Sequence, residues 1–214
     1  MSVFFKDIAK NYGSAGQISF FSVATGDTIS FPAFITGFSD SYSVSFGGET
    51  IFGRNDPVKH YQSTSRTIQA SFDILGVDKN DAENNLKKYS RMIQMLYPVY
   101  SSPIGGNNKA RTIRAAPLFR VKYANYIFSD NPNGLLGCLQ GLIFSPNFDA
   151  GHHVERDGEE IIPTSFQMNF TFEPLHETPL GTTAGTNSFI SKQFPYNMST
   201  ENFAVEPISL GEPE

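Results

Sequence analysis

Within residues 49–100 the hydrophobic period changes from that of a strand to that of a helix, and this order restricts the fold more than any other feature of the chain. Arg54-Asn55-Asp56-Pro57 is a turn-forming run. Over residues 64–74, Ile68, Ala70, Phe72 and Ile74 alternate with Thr67, Gln69, Ser71 and Asp73, which gives a strand one apolar and one polar face. Asp78 is placed to cap a helix, and Asp81 and Glu83 suit its N-terminal dipole. Ala82, Leu86, Tyr89, Ile93 and Leu96 then form one apolar stripe, which Pro98 ends. The spacing predicts a helix over residues 79–97 and no second long one.

The cleanest alternation comes later, where Phe166, Met168, Phe170 and Phe172 interleave with Ser165, Gln167, Asn169 and Thr171. Further strands are predicted as two short ones in 18–34 around Ala24-Thr25-Gly26-Asp27, then over 35–46, 118–128 and 135–144, with loops at 101–108 and 145–158. Seven to nine strands and one helix imply a mainly β fold, in which two antiparallel sheets form a sandwich or barrel with the helix packed on it. The predicted organisation is an N-terminal arm (1–16, with a short helical turn at 4–10), a β domain (17–178) and an extended C-terminal arm (179–214). In that last arm Phe189, Ile190, Phe194, Tyr196 and Phe203 stand isolated among Gly, Thr, Ser, Asn and Pro. Such a segment cannot build its own core yet is too aromatic for a linker, so it is expected to order on a neighbouring subunit.

A length of 214 residues fits one domain with extensions and a core of ordinary size. The 20 Phe and 9 Tyr, against 17% charged residues, suit sheet surfaces buried on one side. A net charge of −5 argues against a general nucleic-acid binder. Cys138 is the sole cysteine, which precludes an intrachain disulfide and fits a reducing compartment. The start, MSVFFKDIAKNYG, does not read as a signal peptide, and no window reads as a membrane span. The chain is therefore expected in the cytosol, or assembled there into a particle.

Residue chemistry offers little for catalysis. His152 and His153 lie near Asp149 and Glu155, but adjacent residues of an extended chain point to opposite sides, which makes a poor metal site. His176 could serve as a general base, but no Gly-x-Ser-x-Gly nucleophile accompanies it, and a histidine bonded to backbone at a strand end is expected. Gly47-Gly48 and Gly105-Gly106 precede no Gly-Lys-Ser/Thr and so are not phosphate loops. Asp149-Ala150-Gly151 is too short for a calcium loop. No enzyme, catalytic residue, metal or cofactor is expected.

Charge is unevenly spread. Residues 79–122 hold nine basic side chains (Lys79, Lys87, Lys88, Arg91, Lys109, Arg111, Arg114, Arg120 and Lys122) against Asp81 and Glu83. From residue 179 onward Lys192 faces Glu201, Glu206, Glu212 and Glu214. A basic surface and an acidic arm in one chain favour contact between subunits over a merely solvated face or a nucleic-acid site.

Two runs resemble structural proteins of tailed bacteriophages. One is Gly53-Arg54-Asn55-Asp56-Pro57 with Tyr61 and Thr64-Ser65-Arg66-Thr67-Ile68. The other is Gly141-Leu142-Ile143-Phe144-Ser145-Pro146, followed by Ile162-Pro163, the Phe strand, His176 and Gly181. The resemblance spans residues 34–181. It implies the tail-tube fold, in which copies form a ring, often a hexamer, that stacks into a tube or baseplate hub. It also implies other tail and baseplate proteins as partners, DNA only as passing cargo, no membrane insertion and a place in the virion. The length and the arms fit a tube-initiator or hub subunit better than a bare tube repeat. Interface candidates are then Arg54, Asp56, Arg66, Lys87, Lys88, Arg91, Phe189, Phe194, Tyr196 and Phe203. Two other functions compete: a carbohydrate- or host-binding β-sandwich presenting Tyr and Phe, and a metal-dependent hydrolase using His152, His153 and His176.

Overall fold

The structure is a computed structural model that describes residues 16–32, 34–102, 111–155, 160–183, 189–191 and 193–198. Residues 1–15 of the expected N-terminal arm, Gly105-Gly106 and Phe203 lie outside the described residues. Among the described residues nine strands and one helix follow one another as β1 (Gln17–Ser22), β2 (Thr28–Pro32), β3 (Phe34–Glu49), β4 (Val58–Leu75), α1 (Lys79–Met95), β5 (Val99–Tyr100), β6 (Ile113–Ala115), β7 (Phe119–Tyr123), β8 (Leu135–Glu155) and β9 (Glu160–Pro174). Seven strands form one antiparallel sheet in the order β2-β1-β7-β8-β9-β4-β3, while β5 and β6 pair separately.

The large sheet coils until its two halves face each other. Phe20 of β1 meets Phe170 of β9 edge-on at 5.4 Å, and Phe72 of β4 meets Tyr123 of β7 at 4.9 Å. The outermost strands β2 and β3 do not pair, so the sheet stays open and the architecture is a sandwich, not a barrel. Phe20, Phe31, Phe72, Phe119 and Phe172 are wholly buried between the halves. Strand β9 behaves as its sequence predicts: Phe166, Met168, Phe170 and Phe172 are buried, and the intervening Gln167, Asn169 and Thr171 are only half-buried.

Helix α1 is capped as expected, with the Asp81 N–H donating to Asp78 Oδ1 at 2.9 Å. Its buried face differs from the predicted stripe. Ala82, Asn85, Tyr89, Met92 and Met95 are buried, whereas Leu86 is half-buried and Ile93 is 38% exposed. Both faces contain Ala82 and Tyr89, and each displaced residue sits one position, about 100° of helix rotation, from its replacement. Packing decides between them. Tyr89 is clamped between Phe144 (4.8 Å) and Phe166 (5.6 Å), and burial pushes its hydroxyl pKa up to about 12. With Tyr89 fixed there, the unbranched Met92 and Met95 fill the irregular space below it.

Residues 145–158 were expected to be a loop. Instead β8 continues to Glu155, paired with β9 through His153↔Ile162 and Glu155↔Glu160. Pro146 and Asn147 keep register with Phe166 and Ser165, and an irregularity between Asn147 and His152 absorbs the rest, where Gly151 takes φ 95°. At the other extreme, the strand expected over 118–128 stops at Tyr123, because Ala124 adopts φ 44° and turns the chain so that Ile127 bridges back to Tyr123.

Candidate assembly surfaces

Two long hairpins outrun the core. Strands β3 and β4 pair from Phe34↔Asp73 to Glu49↔Val58, but every β4 residue from Val58 to Ser65 is exposed. Phe46 and Tyr61 face each other in this outer part, rings 6.2 Å apart, and remain 58% and 61% exposed. The outer half of the β8–β9 hairpin likewise exposes Ile143, Phe148, Val154 and Ile161. Apolar side chains in that number on paired strands exceed the scattered exposure of an ordinary monomer surface. Strand β3 is also a sheet edge sixteen residues long, and its only charges are Asp40 and Glu49. Long edges with so little charge invite pairing with another chain.

Where that hairpin meets the core lies a buried ion pair. Period two places Arg66 on the same face of β4 as Ile68 and Ala70, and register sets Tyr42 opposite it and Asp40 opposite Ile68. Arg66 Nε and Nη2 donate to Asp40 at 2.9 and 2.7 Å, with both side chains 2% exposed. The hydroxyls of Tyr42 (3.0 Å) and Tyr196 (3.2 Å) also donate to Asp40 Oδ2. The guanidinium lies 5.4 Å from the Tyr42 ring centre and 5.3 Å from that of Phe194, a cation–π contact with each of two mutually perpendicular rings. Among the described residues Arg66 Nη1 has no hydrogen-bond partner. Burial raises the Tyr42 pKa, with Arg66 acting against it and the Asp40 charge adding to it.

This cluster holds the described part of the C-terminal arm. Phe194 packs edge-on against Tyr42 and His176, and Tyr196 against Tyr126. Residues 193–198 therefore pack on their own chain. Arg66, expected at a contact surface, is an interior residue here. Nearby, Arg120 makes a bidentate pair with Glu177 at 2.7 and 2.8 Å, tying the segment after β9 to β7. That hydrogen bonding raises the Arg120 pKa and lowers that of Glu177.

Among the described residues the expected backbone hydrogen bond of His176 is not found; its ring packs edge-on against Phe194. Desolvation, and secondarily the Arg66 charge, lowers its pKa. A histidine held neutral by the fold binds fewer protons folded than unfolded, so its contribution is present above about pH 6.5 and is lost as pH falls through the lower folded pKa. The thermal midpoint should fall on acidification through this window, and His176→Gln should flatten that part of the profile. An unchanged profile in the variant would show that His176 does not couple to folding.

The remaining candidates are dispersed. Arg54 and Asp56 sit exposed in the turn between β3 and β4, where Gly53 takes φ 83°. Phe189 is exposed and bridges to Thr182. On α1, Lys87 pairs with Glu83, Lys88 Nζ donates to Ser30 O at 3.2 Å, and Arg91 pairs with Asp27 at 2.6 Å. His152 and His153 are successive strand residues, with His152 against Phe148, and no group of three or more metal-ligating side chains occurs among the described residues. No described helix is long and apolar enough to cross a membrane.

The open mixed-length sandwich with one flanking helix defines the class, and comparison with known proteins adds the following. No family model matches the chain, and no curated protein matches it. One similar solved structure is the Dit protein of SPP1, described as a paradigm of the hub adsorption apparatus in phages that infect Gram-positive bacteria. The match has 11% identity and a TM-score of 0.36, covering 78% of this chain and 54% of that one. The chain thus spans about half the length of that protein. Another is the baseplate of the anti-feeding prophage, with 6% identity, a TM-score of 0.30 and coverage of 75% of this chain and 88% of that one. At such identities and superpositions nothing of either protein's role transfers to this chain.

Proposed function

We propose that this chain is a structural subunit of a bacteriophage tail, one copy of a ring at the baseplate hub or tube-initiator level that helps to form the DNA conduit. The observation that carries the proposal is the β3–β4 hairpin: a long, little-charged edge strand with Phe46 and Tyr61 exposed on its outer half, beyond any core of its own. Surface of this kind is stabilised when a second copy pairs with the edge and covers the rings. The phage-protein resemblance over residues 34–181 supports the same reading, and the ring it implies is most often a hexamer. DNA would pass as cargo only, and the net charge of −5 suits a passage to which phosphates do not adhere.

Sedimentation velocity and negative-stain microscopy of the purified chain should show rings at rising concentration. Replacing Phe46 and Tyr61 by lysine should abolish rings and leave the circular-dichroism spectrum unchanged, since neither side chain is in the core. A monomer at all concentrations that binds glycans would overturn this reading in favour of a host-binding module.

A further inference from the structure

Helix α1 and the ends of β2, β3 and β4 line an open cleft of about 530 Å³. Its walls are apolar at Pro32, Phe34, Leu75 and Val77, and Lys87, Lys88 and Arg91 stand along its helical rim with Asp81 the only carboxylate among the lining residues. Volume and lining suit a small group of apolar side chains carried by an acidic strand of chain. The cations are held loosely. Among the described residues the hydrogen bond of Lys88 is to a carbonyl oxygen, and the Arg91–Asp27 pair is half-exposed, so exchange for other carboxylates costs little.

The sequence after residue 198 has the complementary chemistry. Residues 199–214 contain Phe203, Val205, Ile208 and Leu210, with Glu201, Glu206, Glu212 and Glu214 and no Lys, Arg or His. Pro207, Gly211 and Pro213 disfavour a helix, and an extended chain presents alternate residues such as Phe203 and Val205 to one side. Reach is sufficient. Tyr196 is pinned at Asp40, and Phe34 at the cleft lies six residues along β3, about 20 Å at strand spacing. The seven residues from Tyr196 to Phe203 can span about 23–25 Å, enough to bring Phe203 to the cleft.

We propose that the cleft beside α1 is the docking site of residues 199–214 of the same chain, whose apolar side chains enter between Pro32 and Val77 while their glutamates meet Lys87, Lys88 and Arg91. The segment would then strap the helix to the sheet and cover the cleft in each copy. This proposal is independent of ring formation.

The test uses the full chain with a photo-reactive benzoyl-phenylalanine in place of Phe203, prepared as an equimolar mixture of ordinary and heavy-nitrogen copies. Illumination and mass spectrometry should give crosslinks to peptides containing Val77 or Lys88, within single copies and not between light and heavy ones. The double variant Lys88→Glu/Arg91→Glu should lower that yield severalfold, and adding Glu201→Lys and Glu206→Lys should restore it. If the charge-reversed chain fails to fold, a salt series on the unreversed probe protein gives the second reading, with yield falling as ionic strength rises. Crosslinks that map away from the cleft, that join light to heavy copies, or that ignore both charge reversal and salt would overturn the proposal.

Discussion

Asp40→Ala should destabilise the chain by about 3–5 kcal/mol, one of the two largest losses expected from a single substitution. The cause is not the strength of the ion pair but what its loss leaves behind. Arg66 is 2% exposed, its Nη1 already lacks a partner, and Asp40 is the acceptor for its other donors. Removing the carboxylate leaves a buried guanidinium facing, among the described residues, only the rings of Tyr42 and Phe194, and it leaves the hydroxyls of Tyr42 and Tyr196 without their acceptor. The double variant Asp40→Ala/Arg66→Met removes the charge together with its counter-charge and should recover much of the loss. Urea denaturation of the three proteins provides the measurement. A double variant no more stable than Asp40→Ala would show that the pair's net attraction, and not an orphaned charge, dominates. Glu83→Ala sets the contrast: its partner Lys87 is mostly exposed, and the change should stay within about 0.5 kcal/mol.

The same cluster shows what was legible in the sequence and what was not. Alternation located the strands because a period of two needs only the residues themselves, and β4 and β9 bury the side chains that alternation selects. Extended backward from Ile68, the pattern also places Arg66 on the apolar face, so its burial was open to inference. Its partner was not, since Asp40 comes into reach only through the register of β3 on β4, which no local pattern specifies. The helix face failed for a related reason. Two stripes share Ala82 and Tyr89, and the choice between Ile93 and Met92 is made by Phe144 and Phe166, which belong to distant strands. The outer β8–β9 hairpin is hidden in the sequence because Pro146, Asn147 and Gly151 carry turn propensity locally, while seven register pairs with β9 between Ser145 and Glu155 outweigh it. In the arm at 193–198, isolated aromatics show that a surface is needed without saying whose surface it is.

Phe170→Ala should cost about 3–5 kcal/mol, while Gln167→Ala, three residues away on the same strand, should cost under about 0.5 kcal/mol. Phe170 is 3% exposed and sits where the two halves of the sheet meet: its ring stacks on Phe72 at 5.9 Å and takes the edge of Phe20 at 5.4 Å. Truncation would remove both ring contacts and leave a cavity walled by side chains from three strands, which a close-packed sandwich cannot close without moving backbone. Gln167 points to the other face. Its hydrogen bonds to Asp73 Oδ1 (3.4 Å) and Thr36 Oγ1 (3.5 Å) are long and hence weak, and water can replace them where the side chain is half-buried. Chemical denaturation with a common slope for the two variants and the parent measures both values. Equal losses would mean that the outer face of β9 is as tightly engaged as the inner, contrary to a one-sided core. A loss at Gln167 that appears only at concentrations where rings form would assign that face to the contact between copies, because a side chain that is half-buried in the single chain can become fully buried in the assembly.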